Sequence, residues 1–117
     1  MCGIAGEFNF DGHAADPAAL AAMSACLERR GPDAVGSVIR GPLGLAHRRL
    51  SIIDLSERSR QPMEDAQLGL SIVFNGCIYN YRELRETLQE AGYRFFSEGD
   101  SEVILKAFAH WGPSCVE

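Results

Sequence analysis

Apolar and polar positions alternate from Ile4 to Phe10, two of them aromatic, which predicts a strand that starts almost at the N-terminus and stops at the Asp11-Gly12 turn. Cys2 is thereby placed at a strand end. The period then changes: Asp16 and Pro17 form an N-cap and first-turn pair, Leu20, Met23 and Leu27 recur at helical spacing, and Gly31-Pro32 closes the segment. From Val35 to Arg40 and from Gly44 to Asp54 the runs are β-type again, separated by Gly41-Pro42 as in a hairpin. Ser56 to Gln67 is polar and reads as loop. Leu68 to Asn75 reads as a further strand, with Leu70, Ile72 and Phe74 on one face and Asn75-Gly76 as its turn.

Asn80 offers an N-cap with Glu83 three residues on, Tyr81, Leu84 and Leu88 form an apolar stripe, and Gly92 ends that helix. A short strand is expected at Tyr93 to Ser97. Asp100 or Ser101 then caps a last helix carrying Val103, Ile104, Ala107, Phe108 and Trp111, stopped by Gly112-Pro113. This order is not a regular strand-helix alternation, so the expected class is α+β, an antiparallel sheet covered by helices. The 117 residues are read as one domain, 1–117, expected to continue past Glu117.

Hydrophobic residues make up 46% and charged residues 23%, which is ordinary globular usage and not the signature of disorder. A net charge of -5 argues against nucleic acid or an anionic membrane surface as partner, because both require a surplus of Lys and Arg. No apolar run approaches the roughly 18 residues of a membrane span, and no signal-peptide layout opens the chain, so a cytoplasmic location is expected. The four cysteines, Cys2, Cys26, Cys77 and Cys115, lack metal-ligand spacing. No metal is expected, and the cysteines are read as free thiols.

Cys2 carries the chemistry. A thiol with a pKa near 8.5 needs a base to become a nucleophile, and an α-amino group at about 7.7 to 8.0 titrates close to neutral pH. Removal of Met1 would place both groups on one residue, as in the nucleophiles that use their own terminal amine. On position alone, a Cys after Met is more commonly just a small side chain. The segments downstream change that balance.

Met1-Cys2-Gly3-Ile4-Ala5-Gly6, Arg30-Gly31-Pro32-Asp33, Ala46 to Asp54 (AHRRLSIID), Phe74 to Asn80 (FNGCIYN) and Glu98 to Val103 (EGDSEV) follow one another in this order. Together they closely resemble the class II glutamine amidotransferases of the glutamine-hydrolysing asparagine synthetase group, from Met1 to about Trp111. The resemblance implies the four-layer αββα architecture of N-terminal-nucleophile hydrolases. It implies that Cys2 is the nucleophile with its own amine as base, and that the Asn75 side-chain amide and the Gly76 backbone N–H form the oxyanion hole. Two fixed donors of that kind can each lower a barrier by about 3 kcal/mol. Arg49 resembles the clamp on the α-carboxylate of L-glutamine, a task suited to a guanidinium. Asp100 resembles the partner of its ammonium, and Leu50, Ser51, Ile52 and Ile53 line the pocket.

By the same resemblance, the ammonia is destined for an ATP-dependent C-terminal synthetase domain that amidates a carboxylate such as that of aspartate. No phosphate-binding loop is visible in these residues, so ATP and magnesium are expected only in that domain. A homodimer is left open. One departure stands out: Cys77 occupies the place of a family Glu that helps hold the α-amino end of glutamine. Either ammonium binding is weaker here, or the chain belongs to a subgroup, such as peptide-amide-forming relatives, with a small residue there.

Taken without the family, Arg49 reads as a solvated arginine, Asp100 as an N-cap and Asn75-Gly76 as a turn. His47 reads as a thiol partner for Cys2 or Cys77, or more commonly as a satisfied structural residue. Two rival functions follow: a non-catalytic glutamine-binding or regulatory remnant, and a small structural domain with incidental cysteines.

Overall fold

In the computed structural model, which describes residues 2–50 and 57–117, strand β1 (Gly3–Phe8) is followed by helix α1 (Pro17–Cys26) and by strands β2 (Ala34–Arg40) and β3 (Leu43–Arg49). The three strands pair antiparallel in the order β1-β3-β2. Alternation along a strand sends neighbouring side chains to opposite faces. Arg48 therefore points to α1, where its Nε donates to the Ser24 carbonyl at 3.2 Å and to Ser24 Oγ at 3.3 Å. His47 and Arg49 belong to the other face. Helix α1 is capped as its sequence predicts, with Asp16 Oδ1 accepting from the Ala18 amide at 2.9 Å.

A second layer is built from strands β4 (Met63–Asp65) and β5 (Leu70–Ile72), paired antiparallel, and helices α2 (Tyr81–Glu90) and α3 (Asp100–Trp111). Leu88 of α2 and Val103 and Ala107 of α3 form a buried cluster to which Tyr81, Leu84, Tyr93 and Phe95 add their apolar surface. Burying a side chain such as Leu88 contributes about 2 kcal/mol. The architecture is thus α+β, with antiparallel sheets and three α-helices among the described residues. No helix among them is long and apolar enough to cross a membrane.

Several expected elements differ, and in two of them a side chain takes over a backbone bond. The polar stretch read as loop contains β4. The strand expected from Leu68 to Asn75 shortens to Leu70–Ile72, and the Phe74 amide donates to the side-chain oxygen of Gln61 instead of to a ladder. No strand forms at Tyr93 to Ser97, because the Phe96 and Ser97 amides donate to the Glu102 carboxylate at 2.8 and 2.7 Å. Asn80 precedes α2 without a side-chain cap bond. Gly99, not Asp100 or Ser101, flanks the start of α3. Residues 51–54 of the strand expected to end at Asp54 lie outside the described residues.

Candidate active site

The site begins at the register of β1 on β3. Gly3 lies opposite Arg48, so the residue before it, Cys2, arrives beside the Arg49-Leu50 end of β3. Cys2 Sγ accepts from the Leu50 amide at 3.4 Å and donates to the Leu50 carbonyl at 3.6 Å. Arg30 holds the Cys2 carbonyl through Nε at 3.4 Å.

A cavity of about 210 Å³ opens at this end of the sheet, lined among others by Cys2, Arg49, Leu50, Gly76, Cys77 and Asp100. Six of the residues singled out in the sequence are thus brought to one place from β1, β3, the turn after β5 and the start of α3. Asn75 is exposed and is not among the lining residues. Ser51, Ile52 and Ile53 lie outside the described residues.

Asp100 is buried, and its Oδ2 accepts from the Ile78 amide at 3.0 Å, which ties the turn after β5 to the start of α3. A guanidinium and a carboxylate in one small cavity complement the two charged ends of an α-amino acid. A thiol stands in the same cavity.

His47 also lines the cavity, but it is not paired with a thiol. Its Nε2 lies 3.3 Å from the Phe74 carbonyl, and its buried Nδ1 has no partner among the described residues. A carbonyl only accepts, so Nε2 carries the proton. Burial pushes the imidazole below its ordinary 6.5, the Arg49 charge adds to that, and the bond to Phe74 opposes it only in part. These causes together favour the neutral ring. Gln61, Ser59, Phe74, Gly99 and Ser101 complete the lining and were not legible as site residues. Gln61 in particular sits in a polar stretch with no periodic signal.

A family model described as a glutamine amidotransferase domain matches residues 1–117. This chain belongs to that family. Among curated relatives of the amidotransferase domain, asparagine synthetase (glutamine-hydrolyzing) 1 of Bacillus subtilis is 41% identical over 114 residues, covering 95% of this chain and 18% of that protein. Asparagine synthetase (glutamine-hydrolyzing) 3 of the same organism is 32% identical over 120 residues, 100% of this chain and 19% of that protein. A protein named amidase chry2 from Gibberella zeae is 33% identical over 128 residues, 99% of this chain and 19% of that protein. The chain spans about a fifth of the length of these relatives.

Proposed function

We infer that this amidotransferase domain carries out the glutaminase half-reaction, hydrolysing L-glutamine to glutamate and ammonia through a thioester on Cys2. The observation that carries the reading is the gathering of the Cys2 thiol, Arg49 and Asp100 around one cavity with Gly76. Arg49 takes the α-carboxylate of glutamine and Asp100 its ammonium, which points the side-chain amide at Cys2.

The α-amine of a processed Cys2 takes the thiol proton, and Sγ attacks the carboxamide carbon. Negative charge develops on the amide oxygen, where the Gly76 N–H donates, and Asn75, exposed and outside the cavity lining, must turn inward to add its side-chain amide. The C–N bond then breaks, the leaving nitrogen takes the proton and departs as ammonia, and water cleaves the glutamyl thioester to free Cys2. In the whole protein, an ATP-dependent synthetase domain uses the ammonia to amidate a carboxylate. Among the described residues no group of three or more His, Cys, Asp or Glu is placed to hold a metal ion. ATP and magnesium belong to that synthetase domain, and no step here runs through them. The four-layer nucleophile-hydrolase architecture and a cytoplasmic setting go with this reading.

The test is the intact mass of the purified chain before and after exposure to an electrophilic glutamine analogue, with the adduct mapped by peptide fragmentation. Loss of Met1 and one adduct on Cys2, blocked by excess glutamine, is expected. Saturable glutamine binding without an adduct on a chain that lacks Met1 would favour the non-catalytic remnant instead.

A further inference from the structure

The turn that brings Gly76 and Cys77 to the cavity is held by side chains rather than by a strand ladder. Gln61 is central to this. Its Oε1 accepts from the Phe74 amide, and its Nε2 donates to Ser101 Oγ at 3.0 Å, next to Asp100. The Phe74 carbonyl is taken by His47 Nε2. Both polar groups of the Phe74 peptide positions are therefore bonded to side chains that line the cavity, and two residues further on Gly76 faces the same space.

The seat of Gln61 is equally defined. A Cβ on Gly36 of β2 would lie 2.2 Å from the Gln61 carbonyl oxygen, so the backbone of Gln61 rests directly on the sheet. From that seat its amide spans the turn after β5 and the start of α3, the two segments that supply Gly76 and Asp100. An amide suits this position because it offers an acceptor and a donor at one side-chain end without charge.

We propose that Gln61 and His47 are positioning residues of the cavity, clamping the Phe74 peptide so that the Gly76 N–H is held toward the oxygen of the carboxamide that Cys2 attacks. His47 acts here as a hydrogen-bond donor, not as the base for a thiol. This rests on the glutaminase reading for its chemical consequence, while the clamp itself is a property of the fold.

The experiment compares the native chain with Gln61→Met, His47→Asn and His47→Gln, using the rate of Cys2 labelling by the electrophilic glutamine analogue together with amide hydrogen exchange. Gln61→Met keeps the length of the side chain and removes both hydrogen-bonding ends. His47→Gln carries an amide nitrogen to the place of Nε2, whereas His47→Asn carries it only as far as Nδ1. Gln61→Met and His47→Asn are expected to lower the maximal labelling rate at least about tenfold, with the half-saturating analogue concentration little changed. His47→Gln restores most of that rate, which no substitute for a general base would do.

In parallel, the Phe74 amide loses exchange protection in Gln61→Met and His47→Asn. Absence of labelling in the native chain, with that loss of protection still seen, would count against the glutaminase reading and leave the clamp standing. Measurable and equal labelling rates in all four proteins, or unchanged exchange at Phe74, would overturn the proposal. Should Gln61→Met not fold, the contrast between the two His47 variants still decides.

Discussion

The Cys2 thiol and the Leu50 peptide engage each other in both directions, with the amide 3.4 Å and the carbonyl 3.6 Å from Sγ. This fixes the sulfur against the end of β3, beside Arg49. A hydroxyl can accept and donate in the same way, so Cys2→Ser leaves thermal stability within about 1 kcal/mol of native. Its glutaminase activity drops to background, a loss on the order of 10⁶-fold for a missing nucleophile. Activity surviving in Cys2→Ser would remove the thiol from the mechanism.

Gly36 is the point where the second layer meets the first. The 2.2 Å approach to the Gln61 carbonyl leaves no room for a side chain. Gly36→Ala forces that backbone away from β2 and is expected to cost about 3 kcal/mol, at the upper end of overpacking. Because the displaced residue clamps Phe74, labelling of Cys2 falls as well, even at temperatures where the variant is fully folded. Thermal melts and labelling rates on the same samples check both effects.

The elements that were legible in the sequence are those whose signals are local. The Asp16-Pro17 start of α1, the Gly41-Pro42 hairpin and the apolar stripe of α2 each rest on residues a few positions apart. What was not legible depends on distant side chains. Nothing near Phe96 tells that its amide will meet Glu102, and nothing near Phe74 tells that Gln61 will replace its ladder partner. The cavity was legible in part, through the family motifs: Cys2, Arg49, Leu50, Gly76, Cys77 and Asp100 line it. Asn75 does not, and Gln61 and the donor role of His47 emerge only from the packing of the two layers.

Glu102 replaces a strand with a carboxylate. It is fully buried and accepts from the Phe96 amide, the Ser97 amide and Ser97 Oγ at 2.8, 2.7 and 2.6 Å. Glu102→Gln retains one acceptor oxygen for three donors and turns an NH₂ toward one of them. The expected cost is about 3 kcal/mol, read as a shift in the urea midpoint. The loss should appear as faster amide exchange at Phe96 and Ser97. Unchanged protection there would mean that another acceptor serves these amides.

Two groups give the acid side of the stability curve two branches. Burial alone pushes the Asp65 carboxyl up, but hydrogen bonds from Lys106, Leu68 and Gln67 and the Lys106 charge outweigh it, so its folded value lies below 3.8. A depressed carboxyl contributes its full stability above the unfolded value and loses it as pH falls through the lower folded one. His47, also lowered, has the same sign for a different reason: the unfolded chain takes the proton first, so stability declines as pH drops below 6.5 toward the folded value. Urea midpoints measured against pH should therefore fall first below about 6.5 and again below about 4. His47→Gln flattens the first branch and leaves the second. Asp65→Asn flattens the second and also costs about 3 kcal/mol at neutral pH, because the buried Lys106 ammonium loses its nearer carboxylate and keeps only Glu102 at 3.8 Å. Identical acid branches in native and Asp65→Asn chains would show that another carboxyl governs acid unfolding.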